Sequence, residues 1–129
     1  MFNNFLRKIY TLKITSIFLK ILGKPWKGNG AILVYHRVLP DNQIKEDLNV
    51  GLAVSCSQFE KQIQQLKKYY SLVSIDEFIK NIDIESNKFL VSITFDDGYK
   101  DNLTYALPIL EKYKIPATIY ISTKFLENS

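Results

Sequence analysis

The sequence predicts an α/β fold built on a parallel sheet, and three observations lead there. The run Phe89-Leu90-Val91-Ser92-Ile93-Thr94-Phe95 is rich in β-branched and aromatic residues, and Ala117-Thr118-Ile119-Tyr120-Ile121 is a second run of the same kind. A stretch with helical spacing joins them through short connections, the strand, helix, strand pattern that closes right-handedly in a parallel sheet. A third run, Ala31-Ile32-Leu33-Val34-Tyr35, has the composition of a strand buried on both faces. With 129 residues, 47% hydrophobic and 23% charged, the chain has the balance of one modest globular domain, which excludes disorder and collagen. The single cysteine, Cys56, excludes an intrachain disulfide and cysteine-built zinc ribbons.

Residues 1–28 are expected to form a basic amphipathic leader and linker, with the domain proper over 29–129. Phe2, Phe5, Leu6 and Ile9 follow helical spacing, and Ile14, Ile17, Phe18, Ile21 and Leu22 continue it with a shifted stripe, so one bent helix or two short ones are predicted. Lys13 and Lys20 interrupt the apolar residues, so no stretch of about 18 apolar residues is available to span a bilayer. Gly23, Pro25, Gly28 and Gly30 then break the chain.

After the strand at 31–35, residues 39–55 read as a loop. Ser57 with Glu60 three positions later is a capping-box signature, and Phe59, Ile63, Leu66 and Tyr70 line one face of the helix beyond it. Leu72 to Ile75 is a short extended segment. Asp76 to Ile82 is expected to be a short helix buried through Phe78, Ile79 and Ile82, with a turn over residues 83–88. Asp101 to Tyr113 reads as a helix burying Leu103, Leu107 and Leu110. Pro108 should kink or split it, because proline lacks the backbone donor a continuous helix needs.

Charge is distributed unevenly. Residues 1–40 carry seven basic side chains and no acidic one, whereas the rest carries ten basic and thirteen acidic, which together make the net +4. A basic amphipathic leader suits an anionic surface, and Trp26 would serve as a headgroup anchor; packing of the same stripe on the domain or a partner is an equal reading. Nucleic acid is not expected as a partner, since no motif of a known nucleic-acid module is present. Phosphate-binding glycine loops and serine-nucleophile elbows are absent too.

Asp96 and Asp97 fall where the strand at 89–95 leaves the sheet, the place where parallel folds collect reactive groups. Neighbouring side chains at a strand end diverge, so one carboxylate can address a cation and the other a water, while Gly98 permits the tight turn. Composition alone favours reading Asp-Asp-Gly as a plain turn. His36, the only histidine, ends the first strand and would face the same mouth if that strand runs parallel to 89–95. One histidine cannot supply a zinc site that uses two.

Thr94-Phe95-Asp96-Asp97-Gly98 resembles the first motif of the polysaccharide deacetylases, the NodB-homology family. Leu33-Val34-Tyr35-His36-Arg37-Val38 is similar to the family's opening strand, and Val54 to Phe59 and Leu72 to Phe78 are similar to the segments between. Ala106-Leu107-Pro108-Ile109-Leu110 and Ile115 to Tyr120 are similar to the family's segments after that motif, so the resemblance covers about residues 31–122. It implies the N-terminal part of a distorted (β/α) barrel, preceded here by the amphipathic helix. It also implies hydrolysis of a carbon-nitrogen, non-peptide bond: removal of N-linked, occasionally O-linked, acetyl groups from a polysaccharide with a divalent metal, zinc or similar. By that resemblance Asp96 is the general base and Asp97 a metal ligand, with His36 an active-site neighbour. The family's later His-x-x-x-His motif is not in this sequence, so the chain is expected to be a fragment, inactive alone. A non-catalytic fragment that binds a partner or a membrane surface is the alternative. The expected setting is the cell envelope or membrane surface, or else the cytoplasm.

Overall fold

The computed structural model describes residues 30–44, 51–82 and 89–123. The predicted leader helix, Trp26 and the turn at 83–88 lie outside the described residues. The central strand, β5 (Leu90–Phe95), is buried at all six positions. β1 (Gly30–Tyr35) pairs with it in parallel over its whole length, Gly30 opposite Leu90 and Tyr35 opposite Phe95. β4 (Ser71–Leu72) and β6 (Ala117–Ile119) also pair with it in parallel, at its beginning and its end. The carbonyls of Phe89, Val91 and Phe95 accept from the backbone N–H groups of Ser71, Val73 and Tyr120 at 3.1, 3.0 and 2.8 Å. In a parallel strand carbonyls of one parity point to one edge, so β4 and β6 lie end to end along the edge opposite β1. The sequence expectation of a strand, helix, strand unit in a parallel sheet is therefore met.

Odd-numbered positions of β5 face the helices. Val91, Ile93 and Phe95 form a continuous core with Phe59, Ile63 and Leu66 of α1 (Cys56–Tyr69) and Leu110 of α3 (Leu107–Tyr113). Phe59 meets Tyr35 edge-on at 5.0 Å between ring centroids and Phe95 at 5.9 Å, a packing that aromatic quadrupoles favour. Burial pushes the Tyr35 phenol pKa far up, and its hydroxyl donates to Gln62 Oε1 at 2.9 Å. A polar set ties α1 to α3 at the surface: Lys112 Nζ and Tyr113 Oη both donate to Glu60 Oε1, at 2.7 and 2.8 Å.

Several details differ from the sequence reading. The segment expected as a loop, residues 39–55, contains β3 (Ala53–Ser55), which pairs in parallel with β2 (Arg37–Leu39) at its front edge. Helix α1 is capped by Ser55, which accepts from the Gln58 amide, rather than by a Ser57 capping box; the Ser57 hydroxyl is engaged with Asp41 instead. The capping box occurs one helix later, between Ser74 and Glu77 of α2 (Ile75–Asn81). In α2 Phe78 is buried but Ile79 is 65% exposed, because seven residues present only one buried stripe.

Pro108 does split its helix. Asn102–Ala106 is a π-helical segment and α3 comes directly after it, since the missing proline N–H and the bulk of its ring displace the preceding turn. The widened turn resets the buried stripe to Asn102, Ala106 and Leu110, leaving Leu103 64% exposed and Leu107 at the surface. β1 and β6 are not buried on both faces: Ile32, Val34 and Ile119 are exposed by 45–54%. A strand is buried on both faces only where a layer covers each of them, and among the described residues only β5 has that.

Candidate active site

The Asp96-Asp97-Gly98 turn begins where β5 leaves the sheet. The Asp96 amide donates to the Tyr35 carbonyl at 2.9 Å, which extends the β1–β5 ladder by one step and sets the level of the mouth. Asp97 has φ 70° and Gly98 φ 67°, two successive left-handed residues. Aspartate tolerates that region better than most side chains, and such strain tends to gather at functional turns. Gly98 is required for a second reason: a Cβ there would lie 3.3 Å from Ile121 Cγ1, so the turn is packed against the chain beyond β6. Both carboxylates are half-buried.

β1 runs parallel to β5, the condition under which His36 shares the mouth with the aspartates. The register ends with Tyr35 opposite Phe95, so His36 and Asp96 each follow directly on the last paired residue of their strand. His36 is half-buried and falls in the single-residue break between β1 and β2. The sequence-predicted site residues thus come from two adjacent strand ends.

Sequence reasoning missed the groups that hold this mouth together. Asp101, only 8% exposed, accepts from Arg37 Nε at 2.8 Å with one oxygen and from the Val38 amide at 3.2 Å with the other. The Arg37 guanidinium also lies 5.0 Å from the centroid of the Tyr99 ring. The sequence signal was faint: an acid five residues beyond Asp96 and a lone arginine beside the histidine.

Among the described residues no group of three or more His, Cys, Asp or Glu side chains is gathered in a way that could hold a metal ion. Asp96 and Asp97 supply hard carboxylate oxygens suited to a divalent cation, but by themselves they do not complete a site. The carboxylates offer hydrogen-bond acceptors to a water or a cation, and the histidine side chain can donate or accept a hydrogen bond.

The fold thus defined is a parallel α/β sheet with paired carboxylates at one strand end and a histidine just beyond the adjacent one. The chain belongs to the polysaccharide deacetylase family, as part of a NodB-type domain. The family described as polysaccharide deacetylase matches residues 83–129. The poly-beta-1,6-N-acetyl-D-glucosamine N-deacetylase of Staphylococcus aureus (strain MSSA476) is 39% identical over 111 residues, covering 76% of this chain and 38% of that protein. The structure of IcaB from Ammonifex degensii superposes with a TM-score of 0.61 at 30% identity, over 73% of this chain and 38% of the other. The Streptococcus pyogenes deacetylase PplD, solved in complex with acetate, gives a TM-score of 0.58 at 30% identity, over 74% and 43%. The chain thus spans well under half the length of these relatives.

Proposed function

We propose that this chain supplies the carboxylate part of a deacetylase site acting on an N-acetylated polysaccharide of the poly-N-acetylglucosamine kind, at the cell envelope. The observation that carries the reading is the joint placement of Asp96, Asp97 and His36 at one strand mouth. Asp96 takes the proton of a water as its oxygen adds to the acetyl carbonyl carbon; the carbon-nitrogen bond then breaks, acetate departs and the sugar nitrogen takes up a proton. His36, which follows the last paired residue of β1 as Asp96 follows that of β5, is assigned as an active-site neighbour of the carboxylates. We assign Asp97 to a divalent metal, zinc or similar, which would polarise the carbonyl, with its remaining ligands to come from outside the described residues. The Staphylococcus relative's substrate and the acetate in complex with the Streptococcus enzyme support the choice of substrate and product.

The test is acetate release from poly-β-1,6-N-acetylglucosamine oligomers with and without added Zn²⁺, using the chain and its Asp96→Asn and Asp97→Asn variants. Metal-dependent release that falls at least about a hundredfold in each variant is expected of this site, the scale of losing a general base. Turnover that survives both substitutions would remove the reading.

A second reading, a non-catalytic chain that binds a partner or a membrane surface, is favoured by the lack of a three-ligand cluster among the described residues. It predicts no release with any metal. No described helix is long and apolar enough to cross a membrane. The proposed surface attachment through residues 1–22 is checked by liposome flotation with and without them; equal flotation would exclude it.

A further inference from the structure

We propose that Asp101 is a positioning residue that holds His36 and the Asp96-Asp97 pair in one fixed arrangement; as a statement about catalysis this rests on the proposed deacetylase function. The relevant contacts form a closed ring. Asp96 is bonded to β1 through the Tyr35 carbonyl at 2.9 Å, the chain runs on from Asp96 to Asp101, and Asp101 bonds back to the Val38 amide at 3.2 Å. His36 lies between the two points of attachment, Tyr35 and Val38, so the ring brackets it on both sides.

Three further contacts stiffen the ring. Arg37 Nε donates to the second oxygen of Asp101 at 2.8 Å, and the Arg37 guanidinium rests against the Tyr99 ring inside the same turn. The Arg37 amide donates to the Leu52 carbonyl at 3.2 Å, which fixes the start of β2 from the other side. Asp101 is 8% exposed, so its two hydrogen bonds are shielded from water and the carboxylate has little freedom to choose other partners. Without it, the left-handed residues Asp97 and Gly98 would lose one of their ties to the sheet, keeping the Asp96 amide bond, the Arg37–Tyr99 contact and the packing on Ile121. Asp101 touches no reacting atom in this scheme; it acts through the backbone on either side of His36.

Amide hydrogen exchange tests the ring without requiring turnover. In Asp101→Asn the Val38 and Asp96 amides should exchange about tenfold faster or more, the scale of one lost charge-assisted hydrogen bond, while the Val73 amide beside β4 keeps its rate. If Val38 accelerates and Asp96 does not, Asp101 secures β2 alone and the proposal fails. A uniform rise at all three amides means general destabilisation and also overturns it. Should Asp101→Asn not fold, Arg37→Gln keeps the Val38 bond and removes the ion pair; the Asp96 amide should then exchange faster while Val38 changes less and Val73 not at all, and an unchanged Asp96 rate would overturn the proposal. Where wild-type acetate release is measurable, Asp101→Asn should lower kcat about tenfold with KM unchanged within about twofold, a split that simple loss of folded protein, once corrected for active fraction, does not produce. Absence of wild-type release would count against the deacetylase reading and leave the exchange result to decide the positioning role.

Discussion

Gly98→Ala tests how tightly the Asp-Asp-Gly turn is built. Glycine at φ 67° has no steric cost, whereas alanine in the left-handed region costs about 1 kcal/mol. The new Cβ would also meet Ile121 at 3.3 Å from Cγ1 and 3.4 Å from Cα, closer than comfortable packing, so either the Ile121 segment or the turn must shift. Because Ile121 is 63% exposed and its side chain can move, that contact adds only about 0.5 kcal/mol, toward the low end of overpacking costs. The sum is about 1.5 kcal/mol. With a urea m-value of about 1.5 kcal/mol/M, the unfolding midpoint should fall by about 1 M. Measuring Gly98→Ala again in an Ile121→Ala background separates the two contributions: the backbone part persists and the side-chain contact part disappears. An unchanged midpoint in the single variant would refute the account of a left-handed, closely packed turn. A loss that vanished wholly in the Ile121→Ala background would refute the backbone share of it.

Two further outcomes are expected. Asn102 is 2% exposed and neither its side-chain nitrogen nor its oxygen has a hydrogen-bond partner among the described residues, so Asn102→Leu should raise stability by about 1 kcal/mol in chemical denaturation; a loss would mean the amide is engaged. The Lys112 ammonium, and then the Tyr113 hydroxyl, hold the Glu60 carboxyl below its ordinary pKa. A pKa lowered in the folded state gives stability that is present above the unfolded value of 4.5 and is lost as pH falls through the folded one. Glu60→Gln should therefore lower the thermal midpoint slightly at pH 7 and leave it unchanged near pH 2, and added salt should shrink the pH 7 difference. An equal loss at both pH values would show that Glu60 acts through packing.

Much of the sheet was legible because its signals are local. β5 stands out through its β-branched and aromatic residues, the Asp96-Asp97-Gly98 break marks its end, and Pro108 marks the division of the last helix whatever surrounds it. The capping box was assigned to the wrong serine because Ser55, Ser57 and Ser74 all carry the same hydroxyl. The partner of each hydroxyl depends on where Asp41 and Glu77 arrive in space. Helical periodicity misplaced Leu103 and Leu107 because the π-helical segment changes the phase of the face, an effect of Pro108 that no fixed period represents.

Local sequence was enough for the α/β class, the central strand and the position of two carboxylates at its end, since composition, period and turn chemistry act over a few residues. Tertiary packing was needed for the parallel pairing that brings the end of β1, ahead of His36, beside the end of β5, ahead of Asp96, and for the Asp101 contacts with Arg37 and Val38 that close the mouth. Those contacts join residues more than sixty positions apart, and a hydrogen bond across that distance exists only once the core of Phe59, Ile93 and Phe95 has brought the strand ends together. Packing also settled which apolar faces are covered, for the same Ile and Val residues serve a buried strand and an exposed one, and only the neighbouring layers distinguish them.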